Sequence, residues 1–386
     1  MKEAFIAHPT TEEWLNKLAT VREFIETQAV EDDKHNEFAH KSVEQLRQLG
    51  YTSLTLPKSY GGEGLSLREM LPLQETLGSY DGSAALVVSW TLLTVGELYE
   101  NAYWPEALLQ QFAQEVKNGA IINRAVSEAA TGSPVRGGKP TTLAEKTASG
   151  YRLTGRKSFT TGAYALDYFL VSAWLSDRQQ IGFFLLPKDT EGLHIEDNWE
   201  MVGMRGTGSH DLVLDAIEVS EKFLVEIPSY HTGFKINSWL LLISATYLGI
   251  AQAARDYAVD FANRHKPNSI PTTIAHLPNV QALLGEIEAL LAQARFTLYG
   301  AADVVDNQDF ATHAINIAKY TVTNHALQIV DKAMRIVGAK SLQLQNPLQR
   351  YYRDVRAGLH NPPMDDLTLS LLAKQANKQW EDKQHV

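Results

Sequence analysis

Apolar residues recur at intervals of three and four over 11–28 and again over 34–49. That spacing lays one stripe of side chains along a helix. Gly50 stands where such a helix should stop. The same spacing resumes over 66–77, 85–100 and 105–117, after a glycine-rich loop at 56–64 that reads LPKSYGGEG. Past residue 120 the period shortens. The segments 151–155, 168–174, 181–187 and 211–219 are short, β-branched or aromatic, and bounded by Gly, Asp, Pro or Ser. They predict strands of a small barrel or sandwich. From 230 onward helical spacing returns in four long segments, 234–263, 276–305, 312–337 and 363–378, the first two separated by a proline-rich loop at 266–278. Helices this long, with one wide apolar face, predict a bundle.

The chain therefore reads as α+β, mostly α. An N-terminal helical domain is expected over 1–120, a middle β-domain over 121–226 and a C-terminal four-helix bundle over 227–386. Neither an internal repeat nor a low-complexity tract is present. The longest apolar run noted, WLLLISATYLGI at 239–250, spans about 12 residues against the ~20 a membrane helix needs, and reads as a buried helix. The start of the chain shows no targeting pattern. A cytoplasmic protein with no membrane segment is the expectation.

Composition narrows the chemistry. The 386 residues are 44% hydrophobic and 21% charged, with 45 acidic and 35 basic side chains giving a net charge of -10. A nucleic-acid binder that tracks phosphates carries a basic surface, so that class is disfavoured. Cysteine is absent. This removes disulfides, thiolate nucleophiles, iron–sulfur clusters and cysteine zinc sites together. Redox chemistry would need an organic cofactor or a His/carboxylate metal site. The 12 histidines are scattered without a His-x-x-x-His pair, so no metal site is expected. A Gly-x-Ser-x-Gly elbow is missing too, which disfavours a serine hydrolase.

Three polar segments remain. Val126-Ser127-Glu128-Ala129-Ala130-Thr131-Gly132-Ser133 offers small hydroxyls and a glycine that let backbone amides approach a planar polar ring. Gly155-Arg156-Lys157-Ser158-Phe159-Thr160-Thr161-Gly162-Ala163 sets an aromatic beside two hydroxyls, suited to stacking and hydrogen bonding a heteroaromatic group. Val202-Gly203-Met204-Arg205-Gly206-Thr207-Gly208-Ser209-His210 is dense in donors but lacks the dinucleotide fingerprint. Each, taken alone, is also readable as a polar turn.

Together, in this order between helical blocks, they resemble the acyl-CoA dehydrogenase superfamily of flavoproteins over nearly the whole chain. Tyr60-Gly61-Gly62-x-Gly64, Ser127-Glu128…Gly132-Ser133, Arg205-x-Thr207-x-Ser209 and Arg353-Asp354 carry the resemblance. It implies the helical, β and four-helix-bundle fold, a homotetramer, and FAD in each subunit, with FMN left open. It implies Val126 and Ser127 against the flavin ring, and Gly132 and Ser133 at the flavin and substrate entrance. Phe159, Thr160 and Thr161 would be the flavin segment, with Phe in place of the family's Trp, and Ser133 or Thr161 would meet the flavin N5 side. Arg205 and Arg264 would be local donors to phosphates. The resemblance implies that the adenosine end reaches a neighbouring subunit, through an Arg late in a bundle helix and a Gly-Gly-x-Gly segment. Here the Arg position falls on His265, beside Arg264, and the segment reads Gly338-Ala339-Lys340-Ser341, keeping only Gly338.

The resemblance also implies a catalytic glutamate, because burial raises a carboxyl pKa towards neutrality and lets it remove the substrate α proton while the flavin takes hydride from the β carbon. One family position lies nine residues after Arg353 and is Pro362. A second lies nine before Leu248 and is Trp239. Asp365 or Asp366 would substitute under another register. Arg353-Asp354…His360-Asn361-Pro362 instead looks like the Arg-Asp…His-Asp-Pro pattern of the monooxygenase branch, which includes dibenzothiophene and hydroxyphenylacetate monooxygenases. That branch uses reduced flavin and oxygen, and His360 would relay protons. Trp90 departs from it, since several monooxygenases carry a histidine on that helix. His210 is a second candidate, expected on the loop surface. The expectation is a flavin-dependent oxidoreductase leaning to oxygenation of a small organic substrate, served by a flavin reductase. The alternatives are an acyl-CoA dehydrogenase with a displaced base, passing electrons to an electron-transfer flavoprotein, and a non-catalytic flavin or acyl-CoA binding protein.

Overall fold

The computed structural model describes every residue except 1, 7, 133–137, 229–236, 306–307 and 385–386. Five helices come first. α1 (Pro9–His35) buries Trp14, Leu18, Val21 and Ile25 along one stripe, and α2 (His40–Gln48) follows. α3 (Leu67–Tyr80) starts from a capping box in which Ser66 and Glu69 satisfy each other's backbone donors. α4 (Gly82–Asn101) is capped by Asp81, whose carboxylate accepts the Ser83 N–H at 2.8 Å. α5 (Glu106–Lys117) completes the block. Among the described residues α4 alone is long and apolar enough to cross a membrane, but 89% of that stretch is buried inside the fold. It is a core helix, and a longer apolar element than the run at 239–250.

The middle region is one eight-stranded sheet: β1 (Ile122–Ala125), β2 (Leu143–Lys146), β3 (Gly150–Lys157), β4 (Tyr168–Leu175), β5 (Gln180–Pro187), β6 (Leu193–Glu196), β7 (Asp211–Ser220) and β8 (Leu224–Glu226). The order is β6-β7-β3-β2-β4-β5-β8. β1 and β2 lie in series along one edge of β4, both parallel to it, with Ile122 opposite Tyr168 and Leu143 opposite Trp174. β4 and β5 are covered on both faces, which explains their unbroken apolar runs.

The C-terminal bundle holds α6 (Leu241–Arg264), α7 (Pro278–Asp303), α8 (Gln308–Val337) and α10 (Asp365–Gln384). A short α9 (Pro347–Asp354) and a 3-10 turn (Val355–Leu359) lie between α8 and α10. α3 and α6 touch backbone to backbone. A Cβ on Gly78 would lie 2.4 Å from the Thr246 carbonyl oxygen, and one on Gly249 2.2 Å from that of Glu75. Beside this crossing, buried Glu75 accepts two hydrogen bonds from Arg295 of α7, at 2.7 and 3.1 Å. The α, β, α order expected from the sequence is the order found.

Candidate active site

Three loops converge beside the sheet. The chain leaves β3 at Lys157, and the Ser158 N–H donates to the Ser127 carbonyl at 2.8 Å. Thr160 N–H donates to the His210 carbonyl at 3.1 Å, and Gly162 N–H to that of Thr207 at 2.9 Å. Ser209 Oγ donates to Thr161 Oγ1 at 3.0 Å and lies 2.9 Å from Thr207 Oγ1. Asn123 of β1 donates to the Thr161 carbonyl. Backbone pairing thus joins the segments around 127, 158–163 and 204–210. The Thr160 hydroxyl is buried and has no partner among the described residues. Phe159 is 59% exposed and meets the Trp199 ring edge-on. Its φ of 58° lies in the left-handed region, where a bulky residue is an outlier of the kind that gathers at functional sites. Val126 and Ser127 are half-buried, and Gly132 closes a small bridge with Glu128 at a φ of 69°. Ser133 lies outside the described residues.

Glu128 is the anchor of the first loop. It is buried and accepts from Lys157 Nζ at 2.7 Å, from the Thr142 N–H and hydroxyl at 3.0 and 2.7 Å, and from Thr141. Burial alone would raise its pKa, but the lysine and threonine donors hold the carboxyl far below the usual range. Burial pulls the Lys157 ammonium down to about 8, against the pull of Glu128. This glutamate is committed to holding the loop and is no base.

Arg205 turns towards α1, its Nε 3.9 Å from Asp33. Arg353 grips the same Asp33 through two bonds of 2.9 and 2.6 Å and donates to the Val202 carbonyl. The adjacent Asp354 accepts the Met204 N–H at 2.6 Å. Burial pushes the Asp354 carboxyl up to about 6. The Arg353-Asp354 pair therefore clamps the loop that carries Thr207 and Ser209. A cavity of about 10 Å³, room for about one water, opens beside it between Asp32, Asp81, Gly206 and Arg350. His210 is buried, not on the loop surface as expected. Its Nδ1 accepts the N–H groups of Asn198 and Trp199, and burial lowers its pKa.

A second polar cluster lies at the far end of α4. Arg124 of β1 pairs with Glu97 at 3.1 Å and with Glu226 at 2.9 Å. Trp104 also donates to Glu226, and Trp239 donates through Nε1 to Glu100 at 2.8 Å. Burial, opposed by Arg124 and reinforced by Glu226, raises the Glu97 carboxyl. Sequence motifs did not point to this cluster. Two glutamates three residues apart in an otherwise apolar helix were the available signal.

Three family models match the chain in order: acyl-CoA dehydrogenase, N-terminal domain, over residues 11–104; middle domain, over 123–217; and C-terminal domain, over 237–359. The chain belongs to the acyl-CoA dehydrogenase family. Relatives in this family are flavin-dependent oxidoreductases. YdbM of Bacillus subtilis (strain 168), an acyl-CoA dehydrogenase by provisional assignment, is 50% identical over 375 residues, covering 96% of this chain and 98% of that protein. Solved structures share the fold, among them the two that follow. Butyryl-CoA dehydrogenase from Megasphaera elsdenii superposes with a TM-score of 0.85 at 21% identity, covering 96% of this chain and 98% of its own. KijD3, in complex with FMN and a dTDP-linked amino sugar, superposes at 0.84 and 23% identity, covering 96% and 95%.

Trp239 is buried against Gly96 of α4, and Pro362 follows the 3-10 turn. Asp365 accepts from buried Lys319 and from Asn324, at 2.9 and 2.8 Å. The His360 side chain is exposed, next to Asn361, which donates to the Tyr247 hydroxyl. Arg264 is exposed and paired with Asp260. Gly338 adopts a φ of 70° at the end of α8, and Lys340, two residues on, lies over the Phe261 ring, which stacks on His265. The two expected adenosine-side segments are therefore neighbours within one chain.

Proposed function

We propose that this chain oxygenates a small organic substrate with reduced flavin and O2, rather than desaturating an acyl-CoA with a glutamate base. One observation carries the reading: both positions where the family places its glutamate hold residues that accept no proton, Trp239 and Pro362, and the nearby Asp365 is spent on Lys319 and Asn324. The converging loops fit a flavin, because they offer a buried unpartnered hydroxyl at Thr160 and an exposed aromatic at Phe159 beside Thr161. Val126, Ser127, Gly132, Ser133, Phe159, Thr160 and Thr161 would hold the ring of FAD or FMN, with Arg205, Arg264 and Gly338 towards its phosphates and adenosine. Bound in reduced form, the flavin supplies the two electrons that divide O2 between substrate and water. His360 moves the proton, its imidazole exposed at the end of the turn after Asp354. A cytoplasmic homotetramer served by a flavin reductase completes this reading.

Glu97 supports a second reading. It is a half-buried carboxylate on α4 with a raised pKa, and its helix also carries the Glu100 bonded to Trp239. It would be the displaced base of an acyl-CoA dehydrogenase that passes electrons to an electron-transfer flavoprotein. Anaerobic mixing of the oxidised holoprotein with butyryl-CoA and longer acyl-CoA thioesters decides between them. The first reading expects no bleaching of the flavin, and oxygen uptake when a flavin reductase is added. Rapid bleaching that is lost in Glu97→Gln would overturn it in favour of the second.

A further inference from the structure

Asp32 and Asp81 reach one cavity from different parts of the chain, Asp32 from the last turn of α1 and Asp81 from the cap of α4. Arg350 of α9 lines the same cavity, which at about 10 Å³ takes about one water. All three side chains are at least nine-tenths buried. Asp32 Oδ2, Asp81 Oδ2 and Arg350 Nη1 have no hydrogen-bond partner among the described residues. Buried polar atoms ordinarily find one. Two acceptors and one donor around a water-sized space match a single water, which accepts from the guanidinium and donates to both carboxylates.

The charges around this space do not balance. Asp33 and Asp354 line it as well, and Arg205 and Arg353 both lie against Asp33. Four carboxylates therefore face three guanidiniums. Further out, Glu37 and Lys41 act on Asp32 with opposite signs. The phenols of Tyr351 and Tyr247, packed against α9, stay neutral because burial raises both. His210 is held by the N–H groups of Asn198 and Trp199 and does not line the cavity. An excess negative charge kept from water is costly unless a proton removes it. Asp33 is spent on Arg353, and Asp354 accepts the Met204 N–H. The open oxygens of Asp32 and Asp81 are left to take the proton. Burial raises both carboxyls, Asp32 to about 7 with Asp81 adding to it.

The loop of Thr207 and Ser209 forms one wall of this cavity. Gly206 lines it, the Gly206 carbonyl accepts the Ala39 N–H at 2.9 Å, and a Cβ on Gly206 would lie 3.1 Å from that of Ser83. We infer that Asp32 and Asp81 share one proton through a water held between them and Arg350, and that this proton latches the loop to the helices. With the proton in place the cluster is neutral and the loop stays seated. With the proton gone, the buried excess charge is relieved by water that enters as the loop lifts. The consequence for a bound flavin rests on the proposed function; the latch itself does not.

Hydrogen exchange followed by mass spectrometry on the purified protein tests this. The peptides of interest carry the Met204 and Thr207 N–H groups, both bonded when the loop is seated. Their exchange is corrected for the intrinsic effect of pH on amide chemistry. Opening releases a proton between the ordinary carboxyl value of 3.8 and the seated value of about 7. Protection is therefore expected to fall by up to about tenfold per pH unit from about pH 5 to about pH 7, and to level off above. The loop is expected to exchange faster than β4 at every pH, which marks a local opening. Asp32→Asn and Asp81→Asn, whose amides need no proton, are each expected to make protection independent of pH. Glu37→Gln, outside the cavity, is expected to keep the slope. A flat profile in the parent, a loop no faster than β4, or a slope that survives in either Asn variant would overturn the inference. Each Asn variant stands in for the other if one folds poorly. No substrate or turnover is involved, so the result is independent of whether acyl-CoA bleaches the flavin.

Discussion

Asp354 of α9 accepts the main-chain N–H of Met204 at 2.6 Å, so the C-terminal region fixes the loop that presents Thr207 and Ser209 to Thr161. Asp354→Ala leaves that N–H buried without a partner, at a cost of about 1–3 kcal/mol. Asp354→Asn keeps an acceptor oxygen in place and is expected to recover much of the loss. Urea denaturation of both variants checks the order; equal loss in the two would remove the hydrogen bond from the account.

Stability should fall as pH rises from about 4 to about 7. Burial is the first cause of raised pKa values at Asp32, to about 7, and at Asp354, to about 6; Asp81 adds to the first and Arg350 opposes both. Over that window the folded chain binds protons that the unfolded chain, with ordinary carboxyls near 3.8, has released. Protonation therefore stabilises the fold at low pH, and the contribution is lost as pH passes through the folded values. Asp32→Asn should flatten the upper part of the profile and melt higher than the parent at pH 8. A parallel profile in the variant would contradict this.

Glu128→Gln should cost about 3–5 kcal/mol, because it strands the buried Lys157 ammonium. The double variant Glu128→Gln, Lys157→Met should regain some of that. The Glu128 pKa is depressed, so its contribution is full above about 4.5 and disappears only as the pH falls through its lower folded value. Thermal melts at pH 7 of the single and double variants measure the coupling.

Gly249→Ala places a methyl 2.2 Å from the Glu75 carbonyl oxygen, a contact with backbone that no rotamer change relieves. A loss of at least about 1–3 kcal/mol is expected by calorimetry. Gly285→Ala, in the middle of α7 with nothing near its Cβ, should be neutral or stabilising, and serves as the control.

Much of the fold was legible because its helices are long and its central strands apolar. The expected 276–305 is Pro278–Asp303, and the expected 168–174 is Tyr168–Leu175. The strands Leu143–Lys146, Leu193–Glu196 and Leu224–Glu226 were not legible, since three or four residues of mixed polarity carry no period. Motif order also indicated the loops that the structure joins around Ser127, Thr161 and Ser209. Their bonding did not follow from it. Arg205 faces Asp33 because α1 packs against that loop, and His210 is buried by Asn198 and Trp199, both consequences of long-range packing. The Arg124, Glu97 and Glu226 cluster joins residues far apart in the chain, and no local pattern announces it.

Gly78 and Gly249 let α3 and α6 lie backbone to backbone. The two helical regions, distant in sequence, are therefore mechanically one frame, and the β-domain is a lobe inserted into it. Neither helical region keeps its mating surface without the other.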